Sequence, residues 1–263
     1  VGSSGNRAQE AVALLKMYAI LLGELIVKAL LKLFEQIEVP VAYVLFRMET
    51  HGVRIDRKIL SGLSLETEKK INALNRQIQQ MAGASCNLNS PKQLSVLLFE
   101  KLKLPVVKKT KTGFSTDEEV LVRLAEDHEI AKQILEFRQL SKLKSTYIDA
   151  LPVLINPQTG CVHASFNQTA TETGRLSSQN PNLQNIPIRT ELGRQIRRAF
   201  IPREKDQVIL SADYSQVELR ILAHLSRDKN LMQAFHNDQD IHDTTARLIF
   251  GRRPSTGNKK DPI

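Results

Sequence analysis

The sequence predicts an α+β protein, helical over its first half and carrying a partial antiparallel sheet with helices over its second. Three observations predict this. Apolar residues recur at helical spacing from Ala11 to Tyr147. Two β-rich runs appear only beyond Pro152, on either side of a turn sequence. Of the 263 residues, 41% are apolar, enough for a core in one large domain or two of ordinary size.

The helical half opens on residues 1–10, where Gly2, Ser3, Ser4 and Gly5 read as a flexible leader or a cut end. The apolar stretch from Ala11 to Phe34 is interrupted by Lys16, Glu24, Lys28 and Lys32. At about 100° per residue these fall within one face, so the stretch reads as a helix to about Glu38 whose apolar face packs on another domain. The charges argue against a membrane span, and the lack of a cleavage site argues against a secretory signal. Pro40, in a first helical turn, opens a second helix with Val41, Val44, Leu45 and Met48 on one stripe, and Gly52 ends it.

A long helix follows from Asp56, with Ile71, Leu74, Ile78 and Met81 three or four residues apart. Ser90-Pro91-Lys92-Gln93 is a capping box with proline at the first position and starts a helix through Phe99. The loop from Lys103 to Thr112 is basic, with Lys108, Lys109 and Lys111 close together. Thr116 to Glu119 forms a second capping box, leading to a stripe of Ile130, Ile134, Phe137, Leu140, Leu143 and Tyr147 beside Arg138, Lys142 and Lys144.

Beyond Leu151 the character changes. Val153–Ile155 and Cys161–Phe166 flank the turn from Asn156 to Gly160, and a polar stretch runs from Asn167 to Gln184. Val208 to Asp213 reads as a buried strand ending in a carboxylate. Helical sequence resumes from Ser215 to about Leu225, again from Leu231, and again from Ile241.

Charge narrows the partner. The 37 Lys and Arg against 28 Asp and Glu leave +9, which suits a polyanion, nucleic acid being the commonest. Cys86 and Cys161 match no metal-ligand spacing, and a reducing cytoplasm is the simplest setting. No repeat or low-complexity tract appears.

Two carboxylates stand out. Asp213, at the end of an apolar run and before a helix, is either a strand-end residue making an Asx turn or a rigidly presented metal ligand for phosphoryl transfer. Glu218 either completes an S-x-x-E capping box with Ser215 or faces a nucleotide pocket, where it would block a ribose 2′-OH.

The residues Asp213-Tyr214-Ser215-Gln216-Val217-Glu218-Leu219-Arg220 resemble the first catalytic motif of family A DNA polymerases, of the bacterial DNA polymerase I type, with valine where isoleucine is commonest. Thr173-Gly174-Arg175-Leu176-Ser177-Ser178 and Pro181-Asn182-Leu183-Gln184-Asn185-Ile186-Pro187 resemble that family's primer–template segment. Arg194 to Phe200, Leu222 to Ser226 and Asp240-Ile241-His242 match in order. Asn87-Leu88-Asn89-Ser90 and Leu143-Lys144-Ser145-Thr146-Tyr147 resemble its thumb. The likeness runs from about Val39 to Gly251.

The resemblance implies a helical thumb followed by a partial antiparallel palm sheet with helices. Residues 1–38 would be a leader and the last helix of an upstream exonuclease-like domain, 39–56 a palm-base helix, 57–150 the thumb and 151–226 the first part of the palm. Residues 227–251 would start the fingers, and 252–263 would be a disordered or non-native tail. It further implies that Asp213 and the Tyr214 carbonyl hold magnesium, two ions being expected in the complete enzyme. Ser215, Gln216, Glu218 and His242 would meet the incoming deoxynucleoside triphosphate, with Glu218 as the gate against ribonucleotides. Arg175, Asn182, Gln184 and Asn185 would line the minor groove of primer–template DNA, where acceptors shared by all correct pairs allow a check of shape. Arg138, Lys142, Ser145, Asn89, Ser90 and the basic loop would contact phosphates.

The implied setting is a bacterial cytoplasm, at the nucleoid, in repair or replication, with no membrane and a monomer when complete. Two parts of the family pattern are missing: the fingers helix with its arginine, lysine and aromatic residues, and the His-Asp-Glu motif. Expectations follow that the polypeptide alone adds no nucleotides and that an open sheet edge favours aggregation. Rival readings are a non-catalytic DNA-binding module, a single-subunit RNA polymerase (opposed by Glu218), and a nuclease built on Asp213, Asp228, Asp238 and Asp240. In the last, Asp228 and Asp240 read better as helix caps.

Overall fold

The computed structural model describes residues 5–110 and 113–237, together with Ile241 and Gly251. It divides into two compact units, Val1–Val208 and Ile209–Ile263.

The first unit begins with α1 (Gly5–Val27), so helix replaces part of the predicted leader. Residues 6–10, Asn-Arg-Ala-Gln-Glu, contain no residue that stops a helix. The predicted single helix to Glu38 is interrupted, because Ala29 sits at φ 55 and the Leu30 amide bonds back to the Leu25 carbonyl. The chain then passes through α2 (Leu31–Leu33) and a wide π-helical turn (Phe34–Glu38) into α3 (Val39–His51). The apolar face of α1 stays open, with Leu14, Leu15, Tyr18 and Ile20 all exposed. Of the stripe predicted on α3, Leu45 is buried, while Val44 and Met48 are exposed.

Gly52 ends α3 at φ 66, its amide bonding the Met48 carbonyl at 2.9 Å. It delivers the chain into β1 (Val53–Ile55), the central strand of an antiparallel sheet. On one side lies β4 (Cys161–Val162), with Val53 opposite Val162; on the other lies β7 (Phe200–Ile201), with Ile55 opposite Phe200. Sequence reading did not mark β1 as a strand, since three residues are too few to show a period of two.

The Asp56 carboxylate caps α4 (Arg57–Ala82) by accepting from the Lys58 and Ile59 amides at 2.8 and 3.4 Å. This helix serves two cores. Leu74, Ile78 and Ala82 join a distal core with Leu94, Leu98, Val120, Leu121, Ile134 and Phe137. Leu60 and Leu63 join a proximal core with Leu143, Ile148, Leu151, Val162, Ile186 and Ile196. Between them, α7 (Glu129–Leu143) runs beside α4 and likewise contributes to both. Each fully buried leucine or isoleucine here stabilises by about 1.5–3 kcal/mol.

The distal region is completed by α5 (Pro91–Ser95) with a π-helical continuation (Val96–Lys101), the paired strands β2 (Lys109–Thr110) and β3 (Gly113–Phe114), and α6 (Glu118–Leu124). Ser90 caps α5 as predicted, accepting from the Gln93 amide at 3.4 Å. The Gln93 side chain bonds the Asn87 amide instead of closing the box on Ser90. For α6 the prediction is one residue out. Asp117, not Thr116, caps the helix, accepting from the Val120 amide at 3.0 Å, and Thr116 is buried.

That amide bond first, then Lys108 and Ser115, hold the Asp117 carboxyl at a pKa of about 2, below its ordinary 3.8. A depressed carboxyl contributes stability above its unfolded pKa and loses it as pH falls toward the folded one. Loosening of α6 is therefore expected between about pH 4 and 2. An NMR titration of the Val120 amide should follow it, and Asp117→Asn should remove that step. A step left unchanged in the variant would refute the assignment.

After α7, a π-helical turn (Lys144–Ile148) leads to α8 (Ala150–Val153). The predicted strand Val153–Ile155 is thus not formed. Ala150 and Leu151 extend the preceding helical run, and only Ile155 is buried. The turn from Asn156 to Gly160 is present, with Gly160 at φ 68 and the Asn156 side chain accepting from the Gln158 amide at 2.8 Å. The predicted run Cys161–Phe166 divides between β4 and β5 (Ser165–Asn167), the latter pairing with β6 (Ser177–Gln179). Thr190 caps α9 (Glu191–Arg198).

The predicted buried strand Val208–Asp213 is overturned. The segment is non-helical and unpaired among the described residues, with Val208 85% and Leu210 87% exposed. A strand needs a neighbour to bond its amides and carbonyls, and no described strand pairs with this segment. The second unit holds α10 (Val217–Ser226) and α11 (Lys229–His236), the latter capped by Asp228, which accepts from the Asn230 and Leu231 amides at 3.0 and 2.9 Å. Capping is the role expected of Asp228; Asp238, Asp240 and most of 242–263 lie outside the described residues.

Candidate functional site

In the first unit the polar stretch from Asn167 to Gln184 forms a braced loop. Ser178 is buried, its hydroxyl donating to the Pro181 carbonyl at 3.1 Å and accepting from the Leu183 amide at 3.3 Å. The Gln184 amide spans β6: its oxygen accepts from the Ser178 amide at 3.1 Å and its nitrogen donates to the Leu176 carbonyl at 3.0 Å. The Asn182 side-chain oxygen accepts from the Gln184 backbone N–H at 3.0 Å. Ile186 is buried in the proximal core and Leu183 packs against it, so Asn182, Gln184 and Asn185 are turned outward. Arg175 is exposed at the head of the same loop, its carbonyl held by the Thr171 hydroxyl at 2.7 Å. The four predicted groove residues therefore share one rigid, outward-facing loop. Its brace, Ser178, was missed; a serine in a polar stretch carries no sign of burial.

The residues predicted on the helical half fare differently from one another. Lys142 and Ser145 are exposed, as is Asn89, while Ser90 is half-buried at the start of α5. Arg138 is half-buried, with its guanidinium donating to the Thr116 carbonyl and hydroxyl, and burial lowers its pKa. It ties α7 to the turn before α6. Lys144 is also engaged, bonding Asp149 at 2.7 Å and Glu68 at 3.1 Å while only 16% exposed. In the basic loop, Lys108 pairs with Asp117 and Glu119, Lys109 is exposed, and Lys111 lies outside the described residues.

In the second unit the carboxylate turn is presented to solvent. Asp213, Tyr214, Ser215 and Glu218 are exposed, and Gln216 is half-buried in the left-handed region at φ 52. The capping box that Ser215 and Glu218 could have made is not formed; Gln216, one residue later, occupies the cap position without a side-chain cap bond. The Ser215 carbonyl instead accepts from Arg220 Nε at 3.1 Å. His242 lies outside the described residues.

A carboxylate with an adjacent backbone carbonyl is the oxygen-donor chemistry that a hard cation such as magnesium takes. Asp213 and Tyr214 fit that chemistry in kind. In number they do not complete it, since no three His, Cys, Asp or Glu side chains converge among the described residues. No described helix is long and apolar enough to cross a membrane.

Comparison with known proteins places these features. The model of DNA polymerase family A matches residues 57–261, a span that includes most of the polar segment read as a tail. The chain is 51% identical to DNA polymerase I of Bacillus subtilis over 247 residues, covering 94% of this chain and 28% of that protein. It is 53% identical to the thermostable DNA polymerase I of Thermus aquaticus over 224 residues, covering 84% and 27%. The chain thus spans about a quarter of the length of these curated relatives. Among solved structures, the POL domain of Pol1 from M. smegmatis, in complex with DNA primer-template and dNTP, is similar with a TM-score of 0.84 at 41% identity, covering 92% of this chain and 42% of that one. By its motif order, its fold and a family match that covers most of its length, the chain belongs to the family A DNA polymerases.

Proposed function

We propose that this chain takes part in template-directed DNA synthesis, the addition of deoxynucleotides to a primer 3′ end, in the repair and replication of bacterial DNA in the cytoplasm. One observation carries the reading: likeness across 92% of the chain to a polymerase domain bound to primer-template and dNTP. The braced loop supports it, because a rigid row of Arg175, Asn182, Gln184 and Asn185 suits a minor-groove check of base-pair shape. Lys142, Ser145 and Asn89 are exposed where phosphate oxygens could reach them. Ser215, Gln216 and Glu218 adjoin Asp213 and would face the nucleotide, Glu218 crowding a 2′-OH. When bound, two magnesium ions would activate the primer oxygen and neutralise the departing pyrophosphate, and Asp213 with the Tyr214 carbonyl would help to hold them.

Duplex binding tests the DNA reading. A primer–template duplex should bind with an affinity that falls as salt rises. Lys142→Gln should reduce the logarithmic salt slope by about 0.9, the contribution of one phosphate no longer neutralised. An unchanged slope would refute it. Because no three His, Cys, Asp or Glu side chains converge around a metal position among the described residues, the 263-residue polypeptide alone is expected to give no templated primer extension. Extension that Asp213→Asn abolishes would refute that expectation and establish catalysis directly.

A further inference from the structure

The geometry points to Arg220 as a positioning residue for the Asp213 turn, acting through the Ser215 carbonyl and braced from behind by Phe235. The inference rests on the reading of Asp213 given above, and it concerns what keeps that carboxylate in place.

The turn needs such a tie. The segment before it, Val208 to Ala212, is exposed and unpaired among the described residues, so no ladder holds Asp213 from upstream. The start of α10 has no side-chain cap, and Gln216 is a non-glycine residue in the left-handed region at φ 52, a conformation that costs about 1–2 kcal/mol unless its surroundings impose it. Arg220 supplies two bonds to this turn. Its backbone amide bonds the Gln216 carbonyl at 3.0 Å, and its side-chain Nε bonds the Ser215 carbonyl at 3.1 Å. The first is ordinary helix. The second caps the turn from inside the helix, five residues on.

An arginine side chain is flexible, and a single bond at an exposed surface would not immobilise it. Here the guanidinium carbon lies 4.6 Å from the centre of the Phe235 ring. The charged plane is attracted to the ring face, which limits the rotamers open to Arg220. Phe235 is itself set by a local device: Arg227 at φ 55 reverses the chain after α10, and Asp228 caps α11. The path from Asp228 through Phe235 and Arg220 to Ser215 is built wholly within the second unit. Lysine could not replace Arg220, because it has no donor at the Nε position and no plane to stack.

Amide hydrogen exchange of the intact 263-residue chain tests this, read by NMR at the first bonded amides of α10, which begin with the residue-220 amide on the Gln216 carbonyl. Arg220→Gln, Arg220→Lys and Phe235→Leu should each speed exchange there about five- to tenfold, as expected for one hydrogen bond of about 1 kcal/mol, while the middle of α11 stays unchanged. Phe235→Tyr keeps the ring face and should restore the native rate. No change at these amides in Arg220→Gln would overturn the proposal. Uniform acceleration across both helices would overturn it too, by making Arg220 a general stabiliser. Manganese alone, added to the unsubstituted chain, separates this from the reading beneath it. Selective broadening at Asp213 and Tyr214, weakened in Arg220→Gln, supports both. A loosened turn in the variant with no broadening in the unsubstituted chain would refute the metal role of Asp213 and keep the tie.

Discussion

Gly52→Ala is expected to destabilise the first unit by about 3–5 kcal/mol, a large part of the roughly 5–15 kcal/mol that holds an ordinary domain folded. Two costs combine. The backbone at Gly52, φ 66 and ψ −174, lies in a region that is essentially closed to residues with a Cβ, at about 1–3 kcal/mol. An added Cβ would also lie 2.8 Å from the Val162 carbonyl oxygen and 2.8 Å from two atoms of the His163 ring. Neither neighbour can give way cheaply. Val162 is paired with Val53 in the sheet. The His163 ring is held at both nitrogens, by the Glu49 carbonyl at 2.7 Å and the Thr159 hydroxyl at 2.6 Å. The strain would fall on the join between α3 and the central strand, so the sheet should loosen with the helix. Denaturant melts read by far-UV dichroism would measure it, and a loss below about 1 kcal/mol would show that the join relaxes freely.

Gly193→Ala should cost about 2–4 kcal/mol and, unlike the first, should also weaken duplex binding. Gly193 is buried in the first turn of α9, directly against Pro187. A Cβ there would overlap the Pro187 carbonyl oxygen and lie 2.8 Å from the proline's own Cβ. The helix cannot easily retreat, because the Thr190 hydroxyl accepts from the Gly193 amide at 3.1 Å and Ile196 is fully buried. The easier movement is in the 181–187 segment, although Arg197 ties it through the Ile186 carbonyl at 3.1 Å. That segment carries Asn182, Gln184 and Asn185. At a temperature where the variant remains folded, its affinity for a primer–template duplex should fall about tenfold, as a shift of about 1.4 kcal/mol in the loop would produce. Full affinity in a folded variant would mean that the helix moves instead.

What was legible in the sequence was local. Asp56 and Ser90 announce helix starts because a cap is made by a side chain and amides two or three residues away. Gly52 announces a stop because its freedom at positive φ belongs to the residue itself. The ordered motifs from Asn87 to His242 were legible for the same reason, and they carried the family. The reading failed where the answer depended on a distant partner. Val208–Asp213 has the composition of a buried strand, yet composition cannot say whether a neighbouring strand is present to bond it. Val53–Ile55 has too few residues to declare itself, yet it becomes the central strand because Cys161–Val162 and Phe200–Ile201 come to its two sides.

Residue order alone was therefore enough for the class of the fold, the helix boundaries set by caps, and the residues eligible for chemistry. Folding in three dimensions decided which of those residues are committed elsewhere. Arg138 and Lys144 looked like any exposed cation, and both are drawn into bonds with Thr116, Glu68 and Asp149. Gln184 and Ser178 sit in one polar stretch, yet Ser178 is buried within the loop while Gln184 braces it from the exposed side. The reason is that a polar side chain taken out of water must find a partner, and that partner can come from any part of the chain that folding brings near.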